Sequence, residues 1–402
     1  MSEDIPAAKV ALIGPVFPYR GGIAHYTTSL ARTFQEQGHQ LLLVSFKRQY
    51  PLWLYPGDTD KDPSAQGFEA DNPNYWIDSL NPITWFRTFW RVRAFGPQVI
   101  VLQWWTTFFA PLWLTIILLN RFFLAAPIVF ICHNVLPHEE RRLDRWIAWL
   151  LLRSSSHVIV QSDTEYELVK KILSETTVSI VPHPVHNILV TDLFSTKEVS
   201  FLEARHSFGL ECEEFVLLFF GIVRAYKGLP ELLYALARVR KSCPKIQLLV
   251  AGEFWEDKEI YLAMIRNLGL EDCVKIDDRY IPNEMVSFYY AASDLLIAPY
   301  RHHTGSAVIQ VATALNLPLV TLNNMPVEPN DAFLPIESKL FNNRVRQLEN
   351  TILSHTSQKS TYRTKCKSTS EACNIASAEP FSTTPSTWYK LVDDILSSAI
   401  KL

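Results

Sequence analysis

Short runs of apolar, mostly β-branched or aromatic residues alternate with amphipathic segments along most of the chain. In the first half the runs predict strands at 10–14, 41–46, 99–103, 128–132, 157–162 and 178–182. The pattern then restarts and predicts strands at 216–221, 246–252, 274–277, 295–299 and 317–322. Helices are predicted between them at 22–37, 110–122, 143–153, 229–240, 257–267, 283–291 and 306–315. Such alternation indicates two doubly wound α/β domains, each a parallel sheet covered by helices on both faces.

A change of pattern divides the chain. Mixed polar sequence at about 186–212 separates the two series and is predicted to be a linker. We therefore expect an N-terminal domain over 1–190 and a C-terminal domain over 191–386. Residues 354–387 are rich in Ser, Thr and Lys, which predicts either an exposed polar stretch or a loosely ordered helix. Apolar residues at helical spacing then predict a last helix at about 387–402, which is expected to pack back on the N-terminal domain.

The most apolar part of the chain, residues 108–132, is too interrupted to cross a membrane. Asn120 and Arg121 divide it into pieces shorter than the ~20 apolar residues that a spanning helix requires. A helix between two buried strands explains the same residues, so no membrane span is expected.

The segment 82–95 (PITWFRTFWRVRAF) leaves two interpretations open. Its aromatic residues cluster in one helical sector, whereas Arg87 and Arg91 lie outside that sector. Aromatic anchors beside arginines are typical of a helix that lies on an anionic membrane surface. The same pattern fits an amphipathic helix packed on a sheet, with arginines that extend past it to water. The sequence alone does not decide between a peripheral membrane contact and ordinary packing.

Composition excludes some classes of protein. Lys and Arg number 38 and Asp and Glu number 41, and the net charge of −3 argues against a nucleic-acid partner. The six cysteines include no C-x-x-C pair, which argues against a zinc ribbon or a disulfide framework. With no signal peptide recognisable before them, we expect reduced thiols in a cytoplasmic protein.

Each predicted domain begins with the same arrangement. A strand ends in glycine, six residues follow, and a second glycine preceded by a basic residue begins a helix, at 14–21 and again at 221–228. Such a turn presents backbone N–H groups and the positive end of the helix dipole, which suits phosphate. Arg224 and Lys227 would add charge-assisted contacts to a diphosphate. Alternatively, the glycines serve only the tight turns between strand and helix.

Other catalytic signatures are absent from the sequence. It contains no G-x-G-x-x-G, no G-x-x-x-x-G-K-[ST], no G-x-S-x-G and no H-E-x-x-H. Residues with metal-ligand spacing are absent as well, so no metal is expected.

Three stretches of the sequence resemble one enzyme family. They are PYRGGIAHYTTSLARTFQEQGHQ at 18–40, FFGIVRAYKGLPELLYAL at 219–236, and DRYIPNEMVSFYYAASDLLIAPYRHHTGSAVIQVA at 278–312. Together they resemble retaining glycosyltransferases of family 4 with the GT-B fold (glycosyl transferases group 1), over about 8–325. HNVLPHE at 133–139 resembles a bacterial branch of that family. The resemblance implies two Rossmann-like doubly wound α/β domains facing a central cleft.

The resemblance also implies roles for individual residues. In the N-terminal domain, Gly21 and Gly22 would approach the donor's phosphates through backbone N–H groups, and His133 would lie against the donor sugar. In the C-terminal domain, Arg224 and Lys227 would hold the diphosphate and stabilise its charge as it leaves. The remaining implied contacts are Tyr280 and Ile281 for the base, and Thr304, Gly305, Ser306 and Ala307 for the phosphate and sugar.

The chain departs from this family at the sugar-reading part of the site. Family 4 carries two glutamates eight positions apart, and the matching positions here are His303 and Val311. The first glutamate normally touches the donor sugar and the second the ribose hydroxyls. Gln310, beside the second position, is expected to replace part of the lost polar contact.

The resemblance leads to an expected function. A hexosyl- or related transferase would move a sugar from a nucleotide-diphosphate sugar to a lipid-linked or polysaccharide acceptor, with retention of configuration and without a metal or other cofactor. It would act in polysaccharide biosynthesis at the inner face of the membrane, with the nucleotide sugar and the acceptor glycan as its partners. Two alternatives stay open: a catalytically weak nucleotide-binding or assembly subunit of the same fold, favoured by the missing glutamates, and a nucleotide-sugar epimerase.

Overall fold

Two parallel β-sheets organise the chain, one in each of its two compact units. The structure is a computed structural model and describes residues 7–65, 67–136, 142–173, 176–182, 200–301, 307–322, 338–366 and 386–400. The first unit comprises the described residues up to 62, from 67 to 182 and from 386 to 400, and the second unit comprises the rest. Strands and helices alternate in both units, so the predicted class of two doubly wound α/β domains is confirmed.

In the first unit, the described residues form a sheet of seven strands in the order β3-β2-β1-β4-β5-β6-β7, with every neighbouring pair parallel. The strands are β1 (Lys9–Ile13), β2 (Gln40–Arg48), β3 (Asn74–Asp78), β4 (Val99–Trp104), β5 (Ile128–Cys132), β6 (His157–Val160) and β7 (Val178–Ile180). All except β3 coincide with a predicted apolar run. β3 lies at the sheet edge, and Ile77 is its one fully buried residue, so its sequence carries no apolar run.

Helices cover both faces of this sheet. They are α1 (Gly22–Glu36), α2 (Pro82–Phe95), α3 (Ala110–Phe123), α4 (Arg142–Leu152) and α5 (Asp163–Ile172). α1 contributes to the core on one face, and α2 to α5 contribute to the core on the other. The side chain of Asn120, near the end of α3, bonds to both the N–H and the carbonyl of Ala126. No helix in the described part of the chain is long and apolar enough to cross a membrane.

α2 combines the two features that its sequence left open. Trp85 and Phe89 are buried, and the indole N–H of Trp85 donates to the carbonyl of Asp78 at 2.8 Å. Phe86 and Trp90, in contrast, are exposed. α2 is therefore a packed helix whose outer surface also carries aromatic residues.

The second unit contains a five-stranded parallel sheet in its described residues, in the order β10-β9-β8-β11-β12. The strands are β8 (Phe215–Phe220), β9 (Ile246–Ala251), β10 (Val274–Asp277), β11 (Leu295–Ala298) and β12 (Leu319–Thr321). The helices are α6 (Phe201–Ser207), α7 (Leu229–Val239), α8 (Lys258–Leu268), α9 (Asn283–Ala292), α10 (Ala307–Ala314) and α11 (Lys339–Cys366). All five strands coincide with predicted apolar runs.

Two helices lie where the sequence pattern predicted little structure. α6 falls within the predicted linker at 186–212, so that prediction is wrong for residues 201–207. The cause is Arg205, which is fully buried, pairs with Asp294 at 2.6 Å and donates to four backbone carbonyls. A buried charge with this many partners holds its segment in place. α11 extends through 354–366, so the helical alternative is correct for that part of the polar tail.

The last described helix, α12 (Ser386–Ile400), belongs to the first unit and packs on α1. The ring of Trp388 lies 5.1 Å from that of Tyr26 on α1. Leu391, Val392 and Ile395 are fully buried in the core on that face of the sheet. The segment thus completes a core whose other members lie more than 180 residues earlier in the sequence.

We expect Leu391→Ala to lower the free energy of unfolding of the first unit by ~2–5 kcal/mol, because it leaves a cavity between α12 and the sheet. The midpoint of urea denaturation measures this loss. Lys390→Ala, an exposed change one residue away on the same helix, should stay within ~0.5 kcal/mol of the parent. Equal midpoints for both variants would mean that α12 adds no stability to this core.

Candidate functional site

The site residues predicted in the N-terminal domain lie at the carboxyl edge of the first sheet. Ligands of parallel α/β sheets bind at this edge, where strands give way to loops. Gly21, with φ 102°, precedes α1, and Gly22 is the first residue of that helix. A Cβ at either glycine would meet no atom within 4 Å, and neither N–H donates to another described residue. The start of α1 therefore presents open backbone N–H groups, the arrangement that phosphate contact requires.

His133 directly follows β5 at the same edge and is held on three sides. Its Nε2 lies 2.6 Å from Oε1 of Gln103, and its Nδ1 lies 3.3 Å from Nε2 of Gln161. The ring also meets the edge of Tyr26 at 4.8 Å. Since an amide oxygen only accepts and an amide N–H only donates, Nε2 carries the proton and Nδ1 accepts. His133 is thus a buried, neutral ring with both nitrogens engaged within the protein.

Gln103 and Gln161 were missed by the sequence analysis. Gln103 lies in β4 and Gln161 follows β6, each at the carboxyl end of an otherwise apolar run. A polar residue at that position of a buried strand was the available signal. Gln103 also explains the first glycine of the opening turn, because a Cβ at Gly14 would lie 2.5 Å from Cγ of Gln103. Gly14 therefore leaves room for the glutamine that positions His133.

The residues after His133 are fixed through their backbone. The N–H of Val135 donates to the carboxylate of Glu165 at 2.7 Å, and its carbonyl accepts from the indole of Trp104 at 3.1 Å. Burial raises the pKa of Glu165, and the bond from Val135 opposes that shift. Residues 137–141, which include most of the rest of the HNVLPHE motif, lie outside the described residues.

In the second unit, the loop at 221–228 follows β8 and is locked to the loop that follows β9. The N–H of Val223 donates to the carbonyl of Glu253 at 2.8 Å, and the carbonyl of Val223 accepts from Trp255 at 3.2 Å. A Cβ at Gly252 would lie 2.3 Å from the carbonyl oxygen of Gly221, so the two glycines allow the loops to touch. Gly221 and Gly252 have φ values of 91° and 144°, which other residues rarely adopt.

Arg224 and Lys227 are brought together by this loop. Arg224 stacks on Trp255 at 5.2 Å, while the ammonium of Lys227 lies 5.4 Å from the Tyr300 ring. Burial, with a further contribution from Arg224, lowers the pKa of Lys227 to about 8. Within the described part of the chain, neither cation forms an ion pair. Two neighbouring cations without a carboxylate partner favour an anion as ligand.

The other buried cations of the second unit have protein partners. Arg301 and Arg344 both bond to Oε1 of Glu231, at 2.9 and 3.1 Å. The N–H of Arg301 also donates to the carbonyl of Tyr226 at 2.7 Å, which ties the end of β11 to the loop at 221–228. This ion-pair cluster, which the sequence analysis did not identify, is structural support for the loop that carries the two unpaired cations.

The start of α10 lies beside the same loop. A Cβ at Gly221 would be 3.4 Å from Cγ2 of Val308 and 3.1 Å from Nζ of Lys227. Ala307 and Gln310 are half-buried on this helix, and Val311 is buried at 6% exposure. The other positions singled out here, His303, Thr304, Gly305 and Ser306, lie outside the described residues.

Tyr280 and Ile281 lie on the connection between β10 and α9. Tyr280 is half-buried and Ile281 is buried. Asp278, earlier in this connection, accepts a bond from the N–H of Phe254 at 3.0 Å. The base-binding candidates are therefore tied to the loop after β9 that also holds Arg224.

Two parallel-sheet α/β domains are the architecture of the GT-B fold, and solved structures with this fold match the chain. HepE of Anabaena, solved with UDP and glucose, matches with a TM-score of 0.62 over 98% of this chain and 100% of HepE, at 17% identity. Starch synthase IV of Arabidopsis thaliana, bound to ADP and acarbose, matches with a TM-score of 0.60 over 98% of this chain and 99% of that chain, at 14% identity. At these identities the likeness shows the fold.

The sequence families identify the class of protein. Residues 21–182 match the glycosyl transferase 4-like domain, and residues 214–348 match glycosyl transferases group 1. The chain carries both domains and belongs to the GT-B glycosyltransferases. A curated relative, D-inositol 3-phosphate glycosyltransferase of Segniliparus rotundus, is 32% identical over 133 residues, which are 32% of this chain and 29% of the relative. The match thus spans less than a third of that relative's length.

We expect anion binding by Lys227 to weaken as pH rises through about 8, the pKa to which burial lowers its ammonium. A bound diphosphate favours the charged form, so binding above this pH requires proton uptake and affinity falls about tenfold by pH 9. Calorimetry with a nucleotide sugar in buffers of different ionisation enthalpy measures both effects. Lys227→Met should bind more weakly and without this pH dependence. A flat profile for the parent protein would contradict the assignment.

We expect Gly252→Ala to damage the loop at 221–228, because its Cβ would collide with the carbonyl oxygen of Gly221. Gly269→Ala is the matched control: this glycine also has positive φ, at 64°, but a Cβ there would meet nothing within 4 Å. The control should lose only the ~1–2 kcal/mol of a left-handed alanine. Thermal melts and nucleotide-sugar titrations should show a larger loss for Gly252→Ala, and equal losses would contradict the collision.

Proposed function

We propose that this chain transfers a sugar from a nucleotide-diphosphate sugar to a lipid-linked or polysaccharide acceptor, with retention of configuration. The observation that carries the proposal is the pair of cations at the edge of the second sheet, Arg224 and Lys227, which have no carboxylate partner among the described residues. A diphosphate supplies the missing negative charge. The glycosyltransferase domains matched by both halves of the chain support sugar transfer over other uses of such an anion site.

Charge stabilisation is the main catalytic task in this proposal. A nucleoside diphosphate leaves readily once its developing charge is met by preorganised donors. Arg224 and Lys227 meet that charge in the second unit without a metal, and the N–H groups of Gly21 and Gly22 contribute in the first. The acceptor oxygen then bonds to the anomeric carbon on the face from which the diphosphate leaves, and the hydroxyl proton passes to the departing phosphate oxygen, so configuration is retained.

His133 has a positioning role in this scheme. Its Nε2–H donates to Gln103 and its Nδ1 accepts from Gln161, so neither nitrogen is available for proton transfer while these bonds persist. We assign it a contact with the donor sugar through the ring. Its two hydrogen bonds hold the ring in one orientation.

The sugar-reading part of the site is altered. Val311 occupies the position of the glutamate that would bond the ribose, and it is buried, so it offers no polar group there. Gln310, the adjacent residue on α10, is proposed to supply part of that contact. The loss of both family glutamates favours one rival, a nucleotide-binding or assembly subunit with weak catalysis.

A panel of nucleotide sugars tests the proposal in two steps. A ligand at ~100 times its Kd raises the free energy of unfolding by ~2.7 kcal/mol, so thermal shifts identify the donor. Release of the nucleoside diphosphate with a glycan acceptor, and the anomeric configuration of the product by NMR, then measure turnover and retention. Binding without turnover on any acceptor would support the subunit, and sugar interconversion without an acceptor would support an epimerase.

We expect Arg224→Ala and Lys227→Ala each to lower kcat by ~10²–10³, because each removes a donor to the charge that develops on the leaving diphosphate. Both residues lie on a loop, so thermal melts should change little compared with the loss of rate. Lys241→Ala, an exposed lysine of the same unit, serves as the control and should keep the parent rate. Parent-like activity in either loop variant would overturn the diphosphate assignment.

A further inference from the structure

α2 and α3 each carry a row of exposed apolar residues. On α2 the row contains Ile83, Phe86 and Trp90, spaced three and four residues apart on one side of the helix. On α3 the exposed apolar residues are Leu118, Phe122 and Phe123. These six side chains, which we call the α2–α3 face, expose between 43% and 73% of their surface.

The two rows are joined into one surface. The rings of Trp90 and Phe123 lie 5.1 Å apart, across the boundary between the helices. Arg93 strengthens the junction, because its Nε donates to the carbonyl of Phe123 at 2.9 Å and its guanidinium lies 5.4 Å from the Trp90 ring. Scattered apolar residues are normal on a protein surface, but a contiguous aromatic patch marks an interaction site.

The charged residues of the two helices have a single sign. Residues 79–138, which include both helices, contain no Asp or Glu and four arginines. The arginines are exposed and form no ion pair with any described residue; they are Arg87, Arg91, Arg93 and Arg121. The next described acidic residues on either side are engaged elsewhere, Asp78 with Arg48 and Asp144 with the hydroxyl of Thr107.

From this geometry we propose that the α2–α3 face docks on an anionic lipid bilayer, with its aromatic residues in the headgroup region and its arginines on acidic lipids. Aromatic and aliphatic side chains beside unpaired arginines suit that boundary. A second copy of the chain fits poorly, because a symmetric contact would place four arginines against four others with no carboxylate between them.

The face lies on two helices that begin beside the candidate site. α2 follows β3 and α3 follows β4, so both helices start at the carboxyl edge of the sheet, where His133 lies. Ile83 and Phe86 lie in the first turns of α2, toward that edge, whereas Trp90, Phe122 and Phe123 lie in later turns, further from it. A lipid-linked acceptor held in the same bilayer would therefore have to extend its sugar along the protein to reach this edge. This use of the surface rests on the proposed function, whereas the docking itself does not.

Vesicle flotation tests the docking with the full chain and no sugar substrate. The protein should float with vesicles of equal phosphatidylglycerol and phosphatidylcholine, detach as salt rises, and fail to float with pure phosphatidylcholine. Each arginine near an anionic surface strengthens binding about fivefold, so Arg87→Glu with Arg121→Glu should weaken it ~25-fold or more. Arg346→Glu, an exposed arginine of the second unit, is the matched control and should bind like the parent.

The apolar part of the face is tested separately. Phe122→Ser should weaken flotation, whereas Leu202→Ser, an exposed apolar residue of the second unit, should not. Thermal melts of every variant establish that it is folded before its binding is compared. Absence of flotation by the parent, salt-independent binding to neutral vesicles, or a dimer that Phe122→Ser dissociates would each overturn the proposal. Nucleotide-sugar binding in solution remains measurable in all these cases, so failure here is distinguishable from failure of the transferase proposal.

Discussion

The contact between the glycine backbones at 221 and 252 determines how the second unit presents its cations. With any side chain at Gly252 the loops after β8 and β9 would separate, since a Cβ would lie 2.3 Å from the opposing carbonyl oxygen. Closed together, they place Trp255 under Arg224 and bury Lys227. The fold thus holds two positive charges in a partly dehydrated place where they repel each other, and the diphosphate that we propose as ligand would relieve that repulsion.

In this unit, the buried arginines that have carboxylate partners differ from Lys227 at the candidate site. Arg205 is paired with Asp294, and Arg301 and Arg344 share Glu231, so these residues hold segments together through ion pairs within the protein. Removing one partner from such a cluster would leave a buried charge alone, which is costly. Lys227 is the opposite case, because burial already lowers its pKa to about 8 and no described carboxylate restores it.

The alternation of apolar runs was enough to predict the α/β class and all described strands except β3. β3 was not predicted because, at the edge of the sheet, it buries one residue in five and therefore contains no apolar run. α6 was not predicted because its segment has the composition of a linker. It is held in place by one ion pair between Arg205 and Asp294, which are far apart in the sequence. In the candidate site, the glycine and cation positions followed from spacing and resemblance. Gln103 and Gln161 did not, since their role depends on three strand ends meeting around His133.

The first unit links its site to a segment remote in sequence. His133 meets the edge of Tyr26, and Tyr26 in turn packs on Trp388 of α12. α12 fills the core beneath α1, the same helix whose first residues, Gly21 and Gly22, present open N–H groups. Close packing transmits small displacements, so a shift of α12 would reach both the start of α1 and the ring of His133. The C-terminal helix is therefore part of the support of the candidate site as well as of the core.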